Sequence, residues 1–327
     1  MIDVLLNALV PIFALMALGY FAGWVRDVDN HHVAELNALV MDFALPASLF
    51  VATASMSGAV LSEQWPLLVV LTVSMLALYA LSYWMQRHLF DLEPGEAAVQ
   101  AITIAQPNYA AAGLPLLAAV LGPAGTIYVA LSIATGSIVL SPLTLAIFES
   151  NKASAGGKDS AALLQAIGRS LFKPIVLGPV LGIAFSLVGI PLPEALRRSL
   201  QLIGGSAGGV ALFLTGLILS AQRIKLSTNM LSGTFLKNIV HPLLAAGLIL
   251  MLPWTGDTAR AVLLLCALPS SFFGILFGLR YGFESHVAVS TVIAADSSCS
   301  RSRISATNTG SQTSRNPRRA LLRLTSP

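Results

Sequence analysis

The feature that most constrains this chain is a series of long apolar stretches separated by short polar breaks. A helix needs about 20 apolar residues to cross the hydrocarbon core of a bilayer. Because lipid-exposed backbone must satisfy its own hydrogen bonds, and the alternation of a membrane barrel is absent, each stretch is predicted to be a helix. The nine candidate spans are 4–24, 33–53, 66–85, 98–121, 125–148, 171–190, 200–220, 231–252 and 259–281, and a tenth begins near His286.

Composition agrees with an all-α polytopic membrane protein and argues against other classes. Only 10% of the residues are charged and 55% are hydrophobic, whereas soluble domains have about 25% charged residues. The net charge of +4 comes from the segment after Ala294, so it does not indicate nucleic-acid binding. No hydrolase, zinc-protease or phosphate-loop motif occurs, so no catalytic residue, metal site or cofactor is predicted, and the chain is not expected to be an enzyme.

Lysine and arginine residues in the predicted loops set the orientation. With the N-terminus outside, the cytoplasmic loops carry more basic residues than the external loops, as the positive-inside rule requires. The long polar segment 149–170 is then a cytoplasmic linker. It separates a first five-helix half, residues 1–148, from a second half, residues 171–294.

The two halves are predicted to be a repeat. PIFALMALG at 11–19 matches PIVLGPVLG at 174–182, and ASLF at 47–50 matches VALF at 210–213, both at an offset of 163 residues. Five spans separate the members of each pair, and an odd number inverts the second half in the membrane. Inverted repeats with broken helices are an architecture of secondary transporters.

The fourth and ninth spans are each interrupted by proline and small polar residues. The fourth contains QPNYAAAGLP at 106–115 and the ninth LPSSFFG at 268–274. Paired interruptions predict a site at the membrane midplane, where half-helix N-termini suit an anion. The alternative is that proline and glycine are simply common in membrane helices. The candidate substrate-binding residues are Asn108, Tyr109, Gly113, Pro115, Pro269, Ser270, Ser271 and the kink residue Pro46.

Ionisable residues inside predicted spans add two candidates. Asp42 lies about 15 Å into the second span and is a candidate for binding a coupling proton or sodium ion. The alternative is a structural carboxylate that bonds to a neighbouring helix. Lys237, four residues before His241, is a candidate counter-ion for an organic anion. Its alternative is a lysine that extends to the membrane surface.

Several segments together resemble the auxin efflux carrier family. They are PIFALMALGYFAG, LNALVMDFALPASLF, PNYAAAGLPLL and ALPSSFFGILFGLRYG, and the run VDNHHVAELNALVMDFALPASLF is similar to bacterial malonate transporters. The resemblance implies ten helices in two inverted five-helix repeats. It also implies crossed, broken fourth and ninth helices like those of sodium/proton antiporters, with organic anions bound near the crossing. On the family's motifs, Asn108, Gly113 and Pro115 fall on the first crossover and Pro269 on the second.

The function expected from these patterns is secondary transport of a small organic anion, malonate or a similar carboxylate, by alternating access. The alternative is a channel-like protein or another ion-coupled carrier of the same fold, of the bile acid/sodium symporter type. The expected partners are the anion, a proton or sodium ion, the lipid bilayer of the cell's inner membrane, and a second copy in a homodimer. No nucleic acid is expected.

The tenth span breaks its own pattern. HVAVSTVIA at 286–294 is apolar, but residues 295–327 are rich in serine and arginine. The tenth helix is therefore predicted to be damaged, with a tail that is disordered or produced by a frameshift.

Overall fold

The computed structural model describes residues 2–26, 33–153, 168, 172–189, 191–221, 227–251, 256–283, 288, 291 and 292, so the predicted tail lies outside the described residues. Nearly all of this part of the chain is helical. Its helices are α1 (Ile2–Val25), α2 (Val33–Ala54), α3 (Gly58–Glu63), α4 (Trp65–His88), α5 (Pro94–Ala105), α6 (Leu114–Leu121), α7 (Pro123–Ala153), α8 (Pro174–Val188), α9 (Glu194–Ala221), α10 (Thr228–Met251), α11 (Asp257–Ala267) and α12 (Phe273–Tyr281).

The predicted spans coincide with these helices. Five helices are long and apolar enough to cross a membrane, namely α2, α4, α9, α10 and most of α7, and two shorter apolar helices cover Phe13–Val25 and Pro174–Val188. The fourth span is divided between α5 and α6, and the ninth between α11 and α12. The structure therefore agrees with the prediction of an all-α membrane protein.

Three helical segments widen into a π-turn, and each lies just before a proline. The π-turns are Leu39–Ala44, Tyr109–Gly113 and Leu236–Val240, which precede Pro46, Pro115 and Pro242. A proline has no N–H to donate, and its ring collides with the carbonyl four residues earlier, so the helix widens locally. One extra residue per turn changes which face the neighbouring side chains occupy, and such turns are frequent at functional sites.

The helices form two groups with a cavity between them. In the first bundle, α1 and α2 of the first half pack against α8 and α9 of the second half. In the second bundle, α4 and α5 pack against α10, α11 and α12, while α7 contacts both bundles. The described residues of the tenth span join the second bundle, where the Gln100 amide donates a 2.8 Å hydrogen bond to the hydroxyl of buried Thr291.

Glycines bring the helices of the first bundle into backbone contact. A Cβ at Gly19 would lie 1.9 Å from the carbonyl oxygen of Phe213, and a Cβ at Gly182 would lie 2.6 Å from that of Phe50. Both members of the two contacts differ by 163 residues, since Gly19 corresponds to Gly182 and Phe50 to Phe213. The same helix-to-helix contact is thus made twice, with the halves exchanged.

Candidate functional site

The two interruptions meet as a short antiparallel pair of extended segments. After α5 ends at Ala105, the chain extends through residues 106–108 beside Leu268–Ser271, and Pro107 is bridged to Ser270. The Asn108 N–H donates to the Pro269 carbonyl at 2.9 Å, and the Ser271 N–H donates to the Gln106 carbonyl at 3.0 Å. Backbone groups freed by the breaks are therefore satisfied across the crossing, as burial in a membrane requires.

This crossing is centred on residues related by the same offset as the sequence matches. Pro107 and Ser270 differ by 163, and the two hydrogen bonds exchange equivalent positions of the two segments. The ends of four short helices converge here. The C-termini of α5 and α11 approach from one side of each break, and the π-turn leading into α6 and the start of α12 leave from the other.

A cavity of about 260 Å³ lies beside the crossing. At about 30 Å³ for each water in the liquid, this is the volume of about nine waters, which accommodates a small organic acid. The crossing forms one wall, and the first bundle contributes the opposite wall through Leu45, Ser48 and Leu49 of α2 and through α9. The wall from α9 consists of small residues, namely Gly204, Gly205, Ala207 and Gly208.

The polar side chains that line the cavity are neutral. They are Ser48, Gln106, Asn108, Tyr109 and Ser271. The Tyr109 hydroxyl and the Gln106 side-chain oxygen are buried without a hydrogen-bond partner, whereas the Ser271 hydroxyl already accepts from the Phe273 N–H at 3.1 Å. Buried polar atoms without partners are rare in folded proteins, and a bound solute would satisfy them.

Lys237 is completely buried beside the crossing but does not line the cavity. Its ammonium donates to the Cys266 carbonyl at 3.0 Å and lies 2.8 Å from Nδ1 of His241. Cys266 is in the last turn of α11, where helix carbonyls lack intrahelical partners and the helix dipole is negative. Lys237 therefore neutralises the end of this half-helix inside the membrane and does not extend to its surface.

Asp42 lies in the first π-turn and pairs with Arg280 in the last turn of α12, with 2.6 Å between the carboxylate and guanidinium. Both side chains are partly exposed, and neither lines the cavity. A second contact joins the same helices, because the Asn37 amide donates to the Leu276 carbonyl at 2.8 Å. Asp42 therefore links the two bundles.

The remaining predicted residues lie around the site without lining the cavity. Gly113 packs against Leu268, where a Cβ would lie 3.0 Å from the leucine side chain. Pro115 is in the first turn of α6, and Pro269 and Ser270 contribute backbone to the crossing. Pro46 faces away, since its carbonyl lies 2.6 Å from a Cβ built on Gly178 of α8. Of the predicted residues, Asn108, Tyr109 and Ser271 come together in the cavity wall.

Sequence reasoning missed Gln106 and Ser48, which both line the cavity. A signal for Gln106 was available, because it precedes Pro107 and the offset of 163 places it opposite Pro269. No comparable signal marked Ser48, whose position depends on how closely α2 approaches Gly204.

A helical membrane chain with crossed, interrupted helices and a cavity between two bundles defines a membrane transport protein. The chain belongs to the family described as membrane transport protein, whose model matches residues 4–299. This confirms the resemblance to auxin efflux carriers and makes the chain a transporter, not an enzyme.

Named relatives cover most of the chain. It is 28% identical over 295 residues to the uncharacterized transporter YfdV of Escherichia coli (strain K12), which covers 89% of this chain and 93% of the relative. It is 26% identical over 298 residues to a putative malonate transporter of Rhizobium meliloti (strain 1021), covering 86% and 88%. Auxin efflux carrier component 6 of Arabidopsis thaliana is 26% identical over 139 residues, covering 40% of this chain and 24% of that protein.

Proposed function

We propose that the chain is a secondary transporter that moves a small organic anion, malonate or a similar carboxylate, across the cell's inner membrane by alternating access. The observation that carries this proposal is the cavity at the crossing, enclosed between the two bundles and bordered by both interrupted spans. The relative named as a putative malonate transporter supports the choice of substrate.

The charges around the crossing favour an anion over a cation. Ser271, Phe272 and Phe273 at the start of α12 and Tyr109 and Ala110 of the π-turn line the cavity, so two positive helix ends face it. Lys237 neutralises the negative end of α11. In the first half the equivalent position, 163 residues earlier, is Ser74, which is neutral. The ammonium adds positive potential on one side of an otherwise matched arrangement.

The two halves are proposed to be inverted repeats of an exchanger-like fold. Support comes from the shared offset of 163 in the sequence matches, in the two glycine contacts and in the bridge between Pro107 and Ser270. Inverted repeats give two conformations of related structure that open to opposite sides, which is what alternating access requires. In this proposal the first bundle moves against the second, and the cavity between them changes the side to which it opens.

Each candidate residue then has a place in the mechanism. Asn108, Tyr109 and Ser271 contact the anion, while Gly113, Pro115, Pro269 and Ser270 shape the crossing, Pro46 forms the π-turn behind it, and Lys237 contributes charge. Asp42 is proposed to bind the coupling proton or sodium ion in a conformation in which Arg280 has left it. A homodimer belongs to the same proposal.

The test is exchange of labelled malonate and related carboxylates in proteoliposomes loaded with unlabelled acid, with and without a proton or sodium gradient. Saturable counterflow is expected, whereas a channel would show none. The variant Gly208→Phe fills the cavity wall and should abolish exchange. Gly209→Phe is the matched control, because Gly209 does not line the cavity and a Cβ there meets no atom within 4 Å. Equal rates for both variants, or no exchange of any carboxylate by the unaltered protein, would overturn the proposal.

A further inference from the structure

The cavity carries too little positive charge for a solute with two negative charges. Among its described lining residues there is no lysine, arginine or histidine, and no acidic residue. The nearby ammonium of Lys237 is already held by the Cys266 carbonyl and His241. Arg280 is paired with Asp42 outside the cavity. The positive ends of the two half-helices remain, at about half an elementary charge each, so together they balance about one negative charge.

Gln106 supplies a feature that a fully ionised dicarboxylate would not use. Its side-chain oxygen is buried without a partner in the cavity wall, and a carbonyl oxygen only accepts hydrogen bonds. A carboxylate only accepts as well, so it would meet this oxygen unfavourably. A protonated carboxyl group carries an O–H that donates, and it would satisfy the oxygen.

From these two observations we infer that the site takes organic acids with a single negative charge, and that a dicarboxylic acid enters as its monoanion, with the protonated carboxyl donating to Gln106 and the carboxylate facing the half-helix ends. This rests on the proposed function and specifies its substrate further. A second negative charge in this cavity would lack both a counter-ion and water, and an unpaired charge is costly inside a membrane.

The first test compares malonate with malonamate, in which an amide replaces one carboxyl group, so that the charge stays at one and an N–H donor is kept. In counterflow, the KM for total malonate should rise about tenfold per pH unit above its second ionisation, because the monoanion becomes that much scarcer. Inhibition by malonamate should change less than about twofold over the same range. Titration of Lys237, His241, Cys266, Tyr109 or Asp42 would affect both compounds alike, so the comparison isolates the charge of the solute.

A second test uses Gln106 itself. Malonamate should bind about tenfold more tightly than monomethyl malonate, which has the same charge but no donor on the ester. In Gln106→Leu this preference should disappear, because the accepting oxygen is gone. The comparison within one variant keeps the test valid when expression falls.

A third test adds the missing charge to the wall. Ile133 of α7 lines the cavity, and Ile133→Lys and Ile133→Met add side chains of similar length that differ in charge. At high pH the Lys variant should have a KM for malonate about tenfold below that of the Met variant.

A KM for total malonate that stays constant or falls with rising pH, or uptake of the dianion that requires sodium, would overturn this inference and leave the proposed function in place. Absence of exchange for every carboxylate at every pH would instead overturn the proposed function.

Discussion

Lys237 determines the balance of charge at the crossing on the scale of single residues. A lysine with no exposed surface is rare, and this one bonds to a carbonyl at the end of a half-helix and to a histidine. A charge at a helix end in such a partly desolvated position contributes up to about 2 kcal/mol. Its effect on a solute in the neighbouring cavity is electrostatic, since the side chain does not line the cavity.

Lys237→Met should therefore weaken anion binding without unfolding the protein. We expect KM for the transported anion to rise about tenfold, which corresponds to about 1.4 kcal/mol. Thermal stability in detergent should be unchanged or higher, because replacing a buried charge with an apolar side chain is often neutral or stabilising. Lys173→Met is the matched control, as Lys173 is partly exposed and paired with Glu149 at 3.9 Å. Equal KM values for the two variants would contradict the electrostatic role.

Asp42 allows a test that separates ion coupling from a structural ion pair. If it binds the coupling ion, Asp42→Asn should abolish accumulation driven by an ion gradient and preserve counterflow, since exchange needs no net ion movement. Arg280→Gln removes the partner seen in the structure and keeps the carboxylate, so it should retain a response to the gradient. Gradient-driven accumulation by Asp42→Asn at the level of the unaltered protein would show that Asp42 serves only as the partner of Arg280.

On the scale of helices, close backbone contact holds the first bundle together. A Cβ at Gly216 of α9 would lie 1.9 Å from the carbonyl oxygen of Met16 in α1, and a backbone atom has no freedom to move aside. In lipid the association of helices depends on such packing, because apolar side chains gain little by leaving an apolar solvent.

Gly216→Ala should separate α1 from α9 and reduce the thermal stability of the purified protein. Overpacking typically costs about 1–3 kcal/mol, and a backbone clash belongs at the upper end of that range. Gly209→Ala makes the same change on the same helix where a Cβ meets nothing within 4 Å, so it should leave the stability unchanged. Unfolding followed by size-exclusion chromatography after heating measures both, and the contact is unimportant if the two variants melt together.

The helices themselves were predictable because the bilayer imposes a length and an apolar composition on each span. Prolines also located the two breaks, although the fourth span breaks at residues 106–108, before Pro115. The π-turns were not predicted, since proline indicates a kink without specifying how the hydrogen bonds adjust. The partners of Lys237 and Asp42, and the role of Gln106, depend on contacts between distant segments, which neither hydropathy nor spacing encodes.

At the scale of the whole molecule, few polar contacts among the described residues join the bundles near the cavity. Asp42 with Arg280, and Asn37 with the Leu276 carbonyl, connect α2 of the first bundle to α12 of the second. Both contacts are near the end of the second bundle where α12 terminates at Tyr281. If the bundles move against each other during transport, these contacts must break in every cycle.

A covalent link between the bundles should therefore arrest transport. Asp42→Cys with Arg280→Cys, in a background with Cys266 and Cys299 replaced by alanine, should lose counterflow when a flexible bifunctional thiol reagent joins the two sites. The matched control is Met56→Cys with Ser186→Cys, because the Ser186 hydroxyl bonds to the Met56 carbonyl at 2.6 Å at the ends of α8 and α2 within the first bundle. Linking that pair should leave counterflow intact, since both sites move together. Counterflow is the appropriate measurement because the first pair removes Asp42, and each single-cysteine variant treated with the same reagent shows the effect of labelling alone. Transport that continues with the 42–280 pair fully linked would mean that the bundles do not separate at this end, and the alternating movement would have to occur elsewhere in the molecule.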